Sequence, residues 1–558
     1  MKLKIFILFF ICLFTASQAW CEISEKALAY YYFIKAERSL HQGLIEEAIH
    51  YYQKTLKYDP HAVKVMLAIA RLYLQSGEFE EAKGWLKRAS KLDPQSTKIR
   101  FLLVWTYING HHYKEAIKEC ENILTIDKDS KEAMFYLANL FFKTNQYDTA
   151  IQYFKEFLKL HPKSYLAYYY LGNVYLDQEK YEDAENALKK SLKLNPHFFE
   201  DTSISLARLY KQWGKVKQEE KMYQYILSEN PGNLEVCLEL SKIYLKQGKL
   251  KNAQNQIKQL ESVCPEDRLK IGVFWLAQEQ YHLAIEEFKN LLKTYPQPDV
   301  IRYYLGYSYG EAGNEDGAIK ILNQIKPSSN IYIDAVTCHA YLLKKKGDIE
   351  QAINLLEDTL RDRPKAVPLY LALASILGEE KIYHKAEGLL KDALLIEPNN
   401  KEIYFQMGVI YDKMGKKEQC IKQMHKVLAI DPEDADALNY IGYTYAEQGK
   451  NLDEAKFFIK KALKYKPEDG YIIDSLGWVY FKQKRYKEAL KTLEKAHKLV
   501  PKDPIITEHL GDAYLENGFL KKALNFYEKA IELNSEDHDS LLMKIRNLRK
   551  QLKDAPSK

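Results

Sequence analysis

Fourteen histidines and seven cysteines are the side chains of this 558-residue sequence best suited to hold a metal ion or attack a substrate. Their placement supports neither use. Metal-binding His and Cys recur at short intervals that put two ligands on one helix face or across one tight turn, whereas here the histidines are scattered and no two cysteines form a Cys-x-x-Cys pair. His111 and His112 are adjacent, so on one helix they would point in different directions, and a solvated pair in a turn is the expectation. There is no His-Glu-x-x-His, no phosphate-cradling Gly-x-x-x-x-Gly-Lys-Ser/Thr, no Gly-x-Gly-x-x-Gly following a strand and no Gly-x-Ser-x-Gly nucleophile turn. No catalytic residue, no metal and no cofactor is expected.

The background in which these residues sit is that of a folded helical protein. Hydrophobic residues make up 46% and charged residues 28%, and the 17 Pro and 24 Gly leave little room for long loops. The formal charge is +6, with bases interspersed among acids. The basic stripe that nucleic-acid binding needs is missing. Residues 1–19 read as a secretory signal: Lys2 and Lys4, an apolar run from Ile5 to Phe14, then small Ser17 and Ala19. That run is too short to span a bilayer, and no other segment approaches the roughly twenty apolar residues a spanning helix needs. The expected location is periplasmic or otherwise associated with the cell envelope. A lipoprotein form would carry its anchor on Cys21, but Trp20 is bulky where such sites have small residues, which favours the soluble form. Beyond Cys12, the cysteines are Cys21, Cys120, Cys237, Cys264, Cys338 and Cys420, too sparse for a disulfide framework.

What must position any functional side chain is a small-residue register that returns about every 34 residues. Its members are Ala48, Ala82, Ala116, Ala150, Ala184, Glu219, Ala253, Ala284, Ala318, Ala352, Ala386, Cys420, Ala455, Ala489 and Ala523. The interval is 35 into Glu219 and Ala455 and 31 into Ala284. Twelve residues earlier lies a second small register, which includes Ala70, Gly172, Gly306, Gly408 and Gly477 and which only Val104 breaks; Gly442 is offset by one for the Asn451 insertion. Three residues after this register an aromatic is usual, as at Tyr73, Phe141, Trp275 and Tyr411, and Pro follows the Ala register by twelve, as at Pro60, Pro162 and Pro398. Two antiparallel helices approach closely only where side chains are small. Each period therefore reads as a helical hairpin. Gly43, Gly77, Gly214, Gly248, Gly313, Gly347, Gly415 and Gly518 supply the left-handed residue between its halves, and Pro stops the second helix.

These small, aromatic and Pro positions resemble the tetratricopeptide repeat, over about residues 29–537. The resemblance implies an all-α, right-handed superhelical solenoid of about fifteen stacked helix-turn-helix repeats. The expected division is a signal at 1–19, repeats one to seven over 29–264, repeats eight to fifteen over 265–537, and a polar capping helix at 538–553 on which Leu541, Ile545 and Leu548 recur at helical spacing. Cys237 and Cys264 fall near the start of the first helix and the end of the second helix of one hairpin, so a disulfide between them is geometrically allowed.

In proteins of this kind the first helix of each repeat lines a concave groove that receives a peptide or helix of a partner protein. The resemblance places Phe101, Trp105, Phe135, Tyr136, Asn139, Phe142, Tyr169, Tyr170 and Asn173 there, a cradle of rings with amides able to pair with a peptide backbone. A second, acidic patch comprises Tyr440, Tyr443, Tyr471, Asp474, Trp478, Glu508, His509 and Asp512. With the repeats occupying nearly the whole chain, the reading is a non-enzymatic protein-binding scaffold of the bacterial cell envelope. The alternative is a carbohydrate-handling protein in polysaccharide export, in which the aromatics bind sugar rings.

Overall fold

The computed structural model describes residues 25–263, 267–533 and 538–554, and the segment expected to direct export, with Cys21, lies outside them. Among the described residues every regular element is helical. The chain forms two compact units that divide between Asp267 and Arg268, and each is a run of antiparallel helical hairpins. The first helices of the hairpins are mostly thirteen residues long, as in Val63–Gln75, Thr97–Asn109 and Lys131–Lys143, and the second mostly fourteen, as in Phe79–Leu92 and Tyr113–Ile126. The 31-residue interval is explained locally: the first helix of the eighth hairpin, Arg268–Ala277, has only ten residues.

Within each hairpin the two small registers meet where the helices press together. All thirteen Ala of the recurring register, and Cys420, are fully buried. Glu219, its one charged member, is buried too, and burial pushes its carboxyl pKa up. On the first helix, Gly172 has no room for a side chain, because a Cβ would lie 2.6 Å from Leu188 Cγ. The same is true of Gly272 against Phe288, Gly306 against Leu322, Gly408 against Met424, Gly477 against Leu493 and Gly511 against Tyr527. In each case the occupant lies sixteen residues on, one turn past the buried Ala or, for Met424, past Cys420. A large side chain from the second helix thus fills the notch that the missing side chain leaves on the first.

The turn between the two helices always places one residue in the left-handed region. The eight glycines named above have φ between 72 and 90°. Where glycine is absent the chain forces His111, Asn145, Glu179, Glu279, Lys381 or Lys484 into the same conformation, at φ 57–61°. The inserted Asn451 is left-handed too (φ 50°), two residues after Gly449 (φ 64°). This accounts for the 35-residue interval at that hairpin.

Between hairpins, first helices pack directly on first helices, as Tyr332–Lys346 does on Val367–Glu379 and Ala435–Gln448 on Gly470–Lys482. Successive second helices do not pack on one another to a comparable extent. Within each unit the first helices therefore lie on the tighter, inner side. At the end of the second unit the helix His538–Asp554 lays Leu541, Ile545 and Leu548 against Leu510, Tyr514 and Tyr527, covering what would otherwise be an open face.

The tightness of the notch can be measured. A Cβ at Gly442 would lie 2.5 Å from Ile459 Cγ1 and 2.9 Å from the Ala455 carbonyl oxygen, whereas one at Gly388 meets nothing within 4 Å. In urea unfolding, Gly442→Ala should cost about 1–3 kcal/mol, and Gly388→Ala, in an exposed helix interior, should gain about 0.5–1 kcal/mol.

Candidate functional site

Along each first helix the small residue faces the partner helix of its own hairpin, so residues six, three and two before it, and one and four after it, face the inner side. In hairpins two to four these positions enclose an open cleft of about 850 Å3. Leu74, Phe101, Leu102 and Trp105 make it predominantly apolar, and Arg71, Lys98 and Glu132 supply its charges. Trp105 is 42% exposed and Tyr136 37%, a large expenditure of indole and phenol surface in water unless something covers it. Tyr136 flanks the cleft with its ring 6.3 Å from that of Phe101.

The residues expected in this cradle divide into two groups. Phe101 and Trp105 line the cleft and Tyr136 borders it, but Phe135 and Tyr170 pack between hairpins. Phe135 lies 6.0 Å from Phe154, 5.6 Å from Phe157 and 5.6 Å from Tyr170. Tyr170 stacks parallel to the fully buried Phe154 at 6.3 Å, and burial raises its phenol pKa. Tyr169 meets Phe198 edge-on at 5.1 Å, and Phe142 packs on Tyr147. The amides are committed as well: Asn139 and Asn173 each donate Nδ2 to the carbonyl one turn earlier in their own helix, Phe135 and Tyr169 respectively, at 3.0 Å. Donors expected to meet a partner's backbone are thus spent internally. Arg71, Leu74, Lys98 and Leu102 are additions; carrying the same offsets to hairpin two and to the rest of hairpin three would have found them.

The second patch is a network within the chain rather than an open acidic surface. Asp474 is 4% exposed and His509 7%, and His509 Nδ1 lies 3.0 and 3.1 Å from the two Asp474 carboxylate oxygens. Trp478 stacks on His509 at 3.9 Å and on Phe481 at 4.8 Å, with Lys482 Nζ 4.8 Å from its ring centre. Lys544, from the last helix, reaches Glu508 at 3.0 Å and Asp512 at 2.7 Å, and Tyr527 donates to Asp512 at 2.6 Å. Tyr440 donates to Asp412 and Tyr443 to Glu447. Only Tyr471, 56% exposed, stands out in solvent. The three carboxylates expected here are paired within the chain, Asp474 with His509 and both Glu508 and Asp512 with Lys544.

The adjacent histidines are each paired, and Cys237 is buried. His111 lies 3.0 Å from the Tyr113 hydroxyl and His112 3.1 Å from Glu80. Cys237 is a buried free thiol that donates to the Gln256 carbonyl oxygen at 3.6 Å, while Cys264 lies outside the described residues. Among the described residues no three His, Cys, Asp or Glu are placed to hold a metal ion, and no helix is long and apolar enough to cross a membrane.

The His509–Asp474 pair makes the second unit sensitive to pH. Burial disfavours the imidazolium, but the carboxylates of Asp474, Asp512 and Glu508 outweigh it and hold the imidazole pKa above its usual 6.5. The pair's stabilisation is complete below the unfolded-state value near 6.5 and is lost as pH rises through the higher folded-state value. Thermal unfolding followed from about pH 6 to about pH 9 should show falling stability. His509→Gln should be less stable at the acid end and should lack that part of the slope.

Matches to known proteins agree with this architecture. Models described as tetratricopeptide repeat match residues 39–103, 234–267, 301–326, 401–434, 435–469 and 508–537, and one described as TPR repeat matches 477–518. A model of subunit 3 of the anaphase-promoting complex, or cyclosome, matches 109–191. The chain is 28% identical to the TPR repeat-containing protein PA4667 of Pseudomonas aeruginosa over 35% of its own length, and 22% identical to the TPR repeat-containing protein YpiA of Bacillus subtilis over 49%. It spans 33% and 66% of the length of those two relatives. Yeast Tom70 aligns in three dimensions over 76% of this chain and 97% of its own, at 16% identity and a TM-score of 0.41. With hairpins of the matching length and small-residue register on both sides of residue 267, the chain is a tetratricopeptide-repeat protein.

Proposed function

We propose that this chain is a non-enzymatic scaffold that holds a partner polypeptide along the inner face of its first unit, in an assembly of the bacterial cell envelope. The observation that carries the reading is the cleft over hairpins two to four. Its apolar floor ends in an exposed tryptophan, a residue type that dominates binding energy where it can be buried by a partner, and the second helix of each hairpin, packed against the first, holds that floor rigid. The envelope setting is supported by the N-terminal segment, with Lys2 and Lys4 before an apolar run. The bacterial setting is supported by the form of that segment and by the likeness to repeat proteins of two bacteria.

Crosslinking in intact cells, followed by identification of the attached proteins, tests this directly. Trp105→Ala should cut recovery of the crosslinked partner by about tenfold while costing the chain's own unfolding free energy only about 1 kcal/mol. Tyr170→Ala, which removes a ring stacked on Phe154, should instead destabilise the chain by about 3 kcal/mol. Undiminished capture by Trp105→Ala would remove the cleft from the account, and recovery of glycans in place of proteins would favour sugar handling.

A further inference from the structure

Hairpins nine and ten carry a second inner-face cleft with chemistry unlike the first. Their first helices, Asp299–Glu311 and Tyr332–Lys346, enclose about 370 Å3. Tyr303, Tyr307 and Tyr341 wall it, Glu311 and Asp334 add two carboxylates, and no lysine, arginine or histidine lines it. Tyr307 is 39% exposed and Tyr341 55%, so both rings can be reached from solvent. The rings of Tyr303 and Tyr307 stand 6.4 Å apart at 35°.

The basic side chains nearest to this cleft are already committed. Lys345 pairs with Glu315 at 3.1 Å and donates to the Gly310 carbonyl at 3.0 Å, Lys344 pairs with Glu379 while its Nζ lies 5.9 Å from the centre of the Tyr341 ring, and Arg302 pairs with Asp299 at 2.9 Å. Among the described residues Glu311 and Asp334 have no ion-pair partner, and the three phenol hydroxyls accept and donate no hydrogen bond. In a chain whose formal charge is +6, this is a local reversal of sign.

Such a lining asks for one kind of guest. The faces of phenol rings attract cations, and carboxylates at the margin fix the sign. A guanidinium, planar and weakly hydrated, can lie flat on a ring while its edge donates a two-pronged pair of hydrogen bonds to a carboxylate, a geometry that a compact ammonium does not match. We propose that this cleft binds an arginine side chain of a partner polypeptide, with the side chain held among Tyr303, Tyr307 and Tyr341 and its charge met by Glu311 and Asp334. The second unit would then recognise a basic segment, in contrast to the apolar segment that suits hairpins two to four.

Calorimetric titration of the full chain with a capped glycine–serine peptide carrying three arginines tests this, with lysine, citrulline and glutamate counterparts as comparisons. The arginine peptide should bind best, the lysine peptide more weakly, and the neutral and acidic peptides not measurably. Tyr341→Ala and Asp334→Asn should each weaken arginine-peptide binding by about fivefold or more. Tyr341→Phe, which keeps the ring, should stay within about twofold, and Trp105→Ala in the first unit should leave it unchanged. Because Tyr341 is more than half exposed, its removal leaves the hairpin packed, which a thermal melt of each variant checks. The proposal is overturned if the arginine peptide does not bind, if its citrulline counterpart binds as well, or if Tyr341→Ala and Asp334→Asn bind like the parent. Loss of binding in Trp105→Ala would place the basic peptide in the first unit and overturn it equally, whereas failure here leaves capture by the Trp105 cleft standing.

Discussion

The contact between the two helices of a hairpin governs the rest of this molecule. A notch on the first helix, made by a residue with little or no side chain, receives a large side chain placed one turn past a buried alanine on the second. Because the notch is narrower than a methyl group at positions such as Gly172 and Gly477, the pairing of sizes is strict. It also fixes the axial register of the two helices, and so which residues of the first helix look inward. Dispersion and burial at each notch are modest alone but recur in hairpin after hairpin, with each hairpin stabilised chiefly by its neighbours.

That division of labour frees the inner side to vary. Residues that hold the hairpin lie on one stripe of the first helix, and residues that face inward lie on another, so sequence can change at the second without disturbing the first. The chain uses this freedom differently along its length. Hairpins two to four present Phe101 and Trp105 on an apolar floor, hairpins nine and ten present phenols with carboxylates, and hairpins fourteen and fifteen and the last helix close their charges on one another through Asp474 with His509 and Asp512 with Lys544. A scaffold with chemically distinct stations is a direct result of repeating the frame and varying the face.

The frame was legible in the sequence because it is periodic: small residues at fixed intervals have few physical explanations, and the hairpins, their turns and the inward-facing positions follow from them. The fate of individual inward side chains was not, because it depends on neighbours one repeat away. Tyr170 occupies an inward position yet stacks on Phe154 of the preceding hairpin, and Asp474 meets His509 because inward positions of adjacent repeats, three residues before Gly477 and two before Gly511, come together. That spacing was available in the sequence and would have suggested the pairing. The tyrosine cleft was harder to see, since its residues come from two repeats whose shared sign emerges only once Lys344 and Lys345 are known to turn to other partners.

One hairpin contains its own experiment. Val104 is the bulky exception in the second register, and the residue sixteen positions on, where other hairpins have Leu, Ile, Phe, Tyr or Met, is Cys120; both are buried in the same cluster. If size complementarity at the notch is the governing constraint, the two exceptions compensate each other. A double-mutant cycle in urea unfolding decides it: Cys120→Leu alone should overpack the site and Val104→Ala alone should leave a void, each costing about 1–3 kcal/mol, while the double variant, which reproduces the Ala70 and Leu86 pairing, should return to within about 1 kcal/mol of the parent. Additive losses in the double variant would contradict the account.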